Sequence, residues 1–115
     1  MESRPAANPV TFVFTTLPDS ASAVKLANCL VDARHAACVH VLPAGRSIYR
    51  WKEKIVQAGE VTVLIKTTAS RYGALEEAIR AAHPYDLPEI VAVPAGGGLP
   101  EYLEWVAGAT SEHAN

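Results

Sequence analysis

A chain of 115 residues, half of them apolar, has the makings of one globular domain and is too apolar to remain disordered. A net charge of -2 and a pI near 6.0, with Lys and Arg scattered rather than clustered, leave no electrostatic footprint for nucleic acid or an anionic membrane. No apolar run nears the ~20 residues that cross a bilayer, and the first residues lack the apolar core of a signal peptide, so the expected compartment is the cytoplasm.

In chain order, residues 1–8 read as a flexible N-terminus, 9–108 as a single domain and 109–115 as a flexible tail that includes His113. Residues 10–16 are β-branched and aromatic and predict a strand. Pro18-Asp19-Ser20 breaks it and offers an N-cap for a helix with Ala23, Val24, Ala27, Leu30, Val31 and Arg34 at helical spacing. Residues 37–42 return to strand character. Pro43-Ala44-Gly45 must bulge it, and residues 46–51 continue extended, with Ser47, Tyr49 and Trp51 on one side and Ile48 on the other. Lys52-Glu53 is the tightest place for a hairpin turn before Lys54. The return strand is predicted to break near Ala58-Gly59 and to be strongest over 61–65. Residues 67–70 supply caps for a second helix with Tyr72, Leu75, Ile79 and Ala82 as its stripe, and Pro84 ends it. A short strand over 89–93, a flexible Gly96-Gly97-Gly98 connector and a last helix from Pro100, with stripe Leu99, Tyr102, Leu103 and Val106, complete the chain.

The order β-α-β-β-α-β is the ferredoxin-like split pattern, an α/β sandwich of the α+β kind, here with an additional C-terminal helix. Right-handed crossovers put both long helices on one face. Strands such as 61–65 and 90–93 are nevertheless apolar on both sides. The helix-free face therefore wants a cover, part from the last helix and the rest from a partner subunit.

Five collinear segments, Ala36-Ala-Cys-Val39, Ser47-Ile-Tyr-Arg-Trp51, Lys66-Thr-Thr68, His83-Pro-Tyr-Asp-Leu-Pro-Glu-Ile90 and Tyr102-Leu-Glu-Trp105, closely resemble the CutA divalent-cation-tolerance family over about residues 10–106. The resemblance implies a homotrimer similar in architecture to the PII signalling proteins, tied to tolerance of copper and other divalent cations, with no reaction attached to it. Copper sites proposed for some relatives use a cysteine near the end of the first strand and adjacent histidines before Pro-Tyr. The corresponding positions here are Thr15, Ala82 and His83. Threonine cannot replace a soft thiolate and alanine supplies no donor, which leaves His83 as the one metal-ligand candidate for Cu2+ or another divalent cation at a trimer cleft. The alternative is a PII-like regulatory or scaffold trimer that binds a small metabolite or a protein.

Each candidate also has a plainer reading. His83 can cap the second helix through its ring N–H groups. His35 fits a solvated or capping role, and Cys38 and His40, two apart on a strand, fit a partly buried sheet surface as well as a metal pair. Cys29 and Cys38 match no zinc or redox spacing and are expected to be buried reduced thiols. Tyr49, Trp51, Tyr85 and Trp105 could stack on a ligand or serve an interface, and Trp51 is expected to be covered by another subunit or by the helix around Trp105. Asp86 and Glu89 lack a nucleophile and base at recognisable spacing, so no enzyme is expected, and Glu89 is expected to accept hydrogen bonds from Tyr or Arg at a subunit junction.

Overall fold

The computed structural model describes residues 8–111, so most of the expected flexible ends, with His113, lies outside the described residues. The elements are β1 (Val10–Leu17), α1 (Ser20–Asp32), β2 (Cys38–Trp51), β3 (Lys54–Thr68), a 3-10 turn at Ala69–Arg71, α2 (Tyr72–Ala82), β4 (Val91–Pro94) and α3 (Pro100–Ala109). The sheet order is β2-β3-β1-β4, every neighbouring pair antiparallel. This is the expected ferredoxin-like sandwich with an extra helix. At its C-terminal end α3 runs through Ala109, and Thr110 beyond it is buried with its hydroxyl donating to the Val106 carbonyl at 2.9 Å, so ordered chain extends past residue 108.

Alternation along β1 and β3 sorts the core. Val13, Leu17, Val61, Val63 and Ile65 point to one face and pack with Ala23, Leu26 and Leu30 of α1 and Leu75 and Ile79 of α2. Leu26, not Val24 or Val31, carries the α1 stripe; the two valines are 49% and 44% exposed. Spacing alone allows either phase, and the sheet selects the one that buries the two leucines on one face. Asp19 caps α1 by accepting from the Ser22 backbone N–H at 2.7 Å, which lowers its carboxyl pKa.

Arg34 does not extend the α1 stripe. It sits at φ 62, in the left-handed region, where its N–H reaches the Val31 carbonyl and the next N–H, of His35, reaches Leu30. These paired bonds form a Schellman ending on a non-glycine residue. The Arg71 guanidinium closes this end, donating to the Arg34 carbonyl at 3.3 Å and meeting His35 Nδ1 at 3.0 Å. Partial burial, and then the Arg71 charge, hold the His35 pKa below its usual 6.5. The unfolded chain thus takes up a proton at higher pH than the folded one. The contribution of His35 to stability is complete above about 6.5 and is lost as pH falls through the lower folded value. Thermal melts between pH 7.5 and 5 should show falling stability, with a smaller fall in His35→Gln; identical profiles would contradict the contact.

Two features shape the β2–β3 hairpin into a long arm. A bulge between Val41 and Ala44 inserts one extra residue into β2. Before it the odd residues Val39 and Val41 face the helices; after it the phase flips, and Ser47, Tyr49 and Trp51 face the other side. At the tip Trp51 pairs with Lys54, and Lys52 and Glu53 have φ 49 and 67, so this is the mirror-image two-residue turn that glycine favours, with the strain carried by two side-chain-bearing residues. The expected break at Ala58-Gly59 is absent: both residues pair with Ser47 and Arg46 inside a continuous β3. Long-strand pairing overrides a single glycine. The arm draws the chain out to 51 × 33 × 23 Å, with a radius of gyration of 15.4 Å against about 13 Å for a compact chain of this length.

The helix-free face is half covered. Val106 of α3 packs with Val10 and Ala37, backed by Phe12 and Leu103, and Lys66 Nζ donates to Tyr102 Oη at 3.2 Å. Gly98 is more than a flexible connector, because a Cβ there would lie 2.9 Å from Leu103 Cδ2 as α3 turns in. Leu99 stays 64% exposed at the N-cap of α3. Beyond the reach of α3, Val91 and Val93 are 52% and 44% exposed, in a strand that starts at Val91 rather than Glu89.

Candidate functional site

Pro84 stops α2 and leaves His83 extended at its C-cap. The imidazole does not cap α2, which is ended by the His83 backbone N–H bonding the Ile79 carbonyl at 2.8 Å. Nε2–H instead donates to the Thr16 carbonyl of β1 at 2.7 Å, and Nδ1 accepts from the Tyr85 backbone N–H at 3.1 Å. Those two bonds fix the tautomer. The Tyr85 ring lies 4.8 Å from the imidazole, and its hydroxyl donates to Glu60 Oε2 at 3.0 Å. Burial, then the Glu60 carboxylate, push the Tyr85 phenol above its ordinary value. A chain of contacts from β1 through His83 and Tyr85 to β3 thus pins residues 83–90 across the root of the arm.

The pinned segment and the arm flank an open cleft of about 710 Å³. Ser47, Ile48, Tyr49 and Trp51 form one side, Thr16 and Glu60 the inner end, and Tyr85, Asp86, Leu87 and Glu89 the other side. The bulge in β2 makes this possible, since it turns Tyr49 and Trp51 toward the helix-free face. Three of the four aromatics singled out in the sequence meet here. Trp105 does not: it lies on α3 beside Tyr102, with ring centroids 5.7 Å apart. Glu60 is the residue that sequence reasoning missed. Its signal is the register set by the Lys52-Glu53 turn, which places it opposite Gly45 near the arm's root. The Tyr85 hydroxyl is taken by Glu60, and Glu89 is exposed on the lining of the cleft.

The metal-ligand positions converge less. Both nitrogens of His83 are engaged by backbone groups. Thr15 is fully buried on the helix side of β1 with its hydroxyl unpartnered, and Ala82 is exposed on α2. Cys38 and His40 do share one sheet face, opposite Lys66 and Leu64 in the register, while Asp86 lies in the cleft. Among the described residues no group of three or more His, Cys, Asp or Glu side chains is placed to hold a metal ion. The residues present do not fit a resident copper ion, which wants soft or imidazole donors with free lone pairs. The cysteines are free, but Cys29 is exposed and Cys38 half-buried, contrary to the expected buried pair. Cys29 falls on the solvent side once Leu26 and Leu30 set the helix phase.

The likeness to known proteins covers the whole of this architecture. The family model described as CutA1 divalent ion tolerance protein matches residues 11–109. A divalent-cation tolerance protein CutA of Pectobacterium atrosepticum is 43% identical over 106 residues, covering 92% of this chain and 96% of the relative. A mouse protein CutA is 42% identical over 92% of this chain, which spans 60% of that longer relative. The crystal structure of CutA from Xylella fastidiosa superposes with a TM-score of 0.87 at 44% identity, covering 90% of this chain and 99% of the other. Arm, pinned loop and C-terminal helix all lie within the matched span, and the chain belongs to the CutA1 divalent ion tolerance protein family.

Proposed function

We propose that this chain serves divalent-cation tolerance as a cytoplasmic homotrimer that binds a small ligand in the cleft at the root of its arm, and that it works by binding rather than by catalysis. The cleft carries the reading: about 710 Å³, within the usual range for small-molecule sites, with aromatic walls and a few polar groups. Assembly is supported by the exposed apolar side chains on the arm and sheet, including Ile48 at 65% and Ile55 at 70%. Free cysteines suit a reducing compartment. No helix of the described residues is long and apolar enough to cross a membrane.

A divalent cation held at a trimer cleft is the second reading, favoured by Glu60, Asp86 and Glu89 lining one cavity that a neighbouring subunit could complete. Calorimetric titration of tag-free protein with Cu2+ and Zn2+, beside a thermal-shift screen of small organic ligands, separates the two. The proposal expects organic ligands to raise the melting temperature and the metals to show no saturable binding below about 100 μM. Tight saturable copper binding, lost in His83→Ala, would overturn it in favour of a metal centre.

A further inference from the structure

We infer that the arm of one subunit docks on α3 of its neighbour, isoleucines against aromatic rings and arginines against glutamates; this rests on the homotrimer reading above. After the bulge, Arg46, Ile48 and Arg50 lie on the side of the arm opposite Trp51, and the register adds Ile55 and Gln57 to that face. Arg46 Nη1 donates to Gln57 Oε1 at 3.4 Å across it. Ile48 and Ile55 are diagonal neighbours on the strand pair, so they form one patch, and both stand largely exposed. The guanidiniums of Arg46 and Arg50 flank the patch, and no carboxylate shares this face. α3 offers the complement. Its buried side packs on the sheet through Val106, while the stacked rings of Tyr102 and Trp105 stay partly exposed. Exposed glutamates, Glu101 and Glu104, directly precede the two rings. The Lys66 ammonium at this surface is already tied to the Tyr102 hydroxyl at 3.2 Å. One chain cannot join its own two patches, since roughly 36 Å of β3 separates Ile55 from Lys66 beside α3. A contact between two different surfaces passes from chain to chain and can close into a ring. Apolar burial then supplies affinity, and the charge pairs select which surface the arm meets.

The test is a charge swap read by light scattering across a dilution series of tag-free protein. Arg46→Glu with Arg50→Glu, and separately Glu101→Arg with Glu104→Arg, should each raise the dissociation constant of the assembly about tenfold or more. All four substitutions in one chain should bring it back to within about threefold of the parent, because the pairs re-form with reversed sign. Trp51→Phe leaves Trp105 as the sole tryptophan and gives a second readout that needs no charge reversal. Its emission should move to the red when the assembly is diluted apart and the neighbour's arm leaves the ring. Identical emission from assembled and dissociated protein overturns the inference. So does a fourfold variant that assembles no better than either pair. A helix pair that assembles like the parent also overturns it, and would mean that the arm docks elsewhere on its neighbour. If the parent itself is a single chain, the homotrimer reading fails together with the inference; if the parent is a trimer and the swap restores nothing, the inference alone fails.

Discussion

Trp51→Ala should leave the far-ultraviolet circular dichroism of the chain intact while shifting it from assembled to single subunits. Trp51 is the last residue of β2, paired with Lys54 at the tip of the arm, and its side chain faces the same way as Ser47 and Tyr49. Its own chain leaves it 48% exposed. The helix around Trp105 does not cover it, because α3 packs on Val10, Phe12 and Ala37 and leaves Trp105 itself 51% exposed. In the proposed trimer, a neighbouring subunit is what would bury the ring. Truncating a tryptophan at the centre of an interface costs about 2–4 kcal/mol, a rise in the dissociation constant of roughly 30-fold or more. Size-exclusion chromatography across a dilution series reads this directly. A variant that stays assembled and melts like the parent would mean that Trp51 faces solvent in the assembly.

The second large effect falls on His83. Removing the imidazole leaves the buried Thr16 carbonyl without its 2.7 Å donor and frees the Tyr85 N–H, so the pinned segment loses its anchor to β1. An unsatisfied buried carbonyl plus one lost hydrogen bond costs about 2–3 kcal/mol, or roughly 10 °C in the melting temperature. His83→Gln, which keeps an N–H donor, should recover part of the loss. A ligand role for His83 predicts the reverse: full thermal stability in His83→Ala with metal affinity lost. Differential scanning calorimetry of both variants decides between a structural pin and a metal ligand.

Much of this architecture is legible in the sequence because its signals are local. β-branched runs, Pro43, the Lys52-Glu53 turn and Pro84 each impose a conformation on their immediate neighbourhood, and the split β-α-β-β-α-β order follows from their sequence. What escapes is set by tertiary pairing. The phase of α1 depends on which face meets the sheet, so Leu26 replaces Val24 and Val31 in the core and Cys29 is turned outward. Gly59 reads as a break, yet the long pairing with β2, from Cys38 to Trp51, carries β3 straight through it. At the site, His83, Tyr49, Trp51 and Tyr85 stand out by residue type alone. That His83 serves Thr16 and Tyr85, and that Tyr85 takes Glu60, comes from contacts spanning 67 and 25 residues in sequence for the Thr16 and Glu60 bonds. No local pattern encodes them.

The aromatic arm and the uncovered sheet face can work as described only if they are subunit surfaces. The most direct measurement is the mass of the tag-free protein in solution, by multi-angle light scattering at low micromolar concentration. The account predicts three times the 12.3 kDa chain mass, since obligate interfaces of more than ~2,000 Å² do not dissociate readily at that dilution. A stable species of 12.3 kDa would contradict it, leaving Trp51, Val91 and Val93 exposed to water and the cleft open on its outer side.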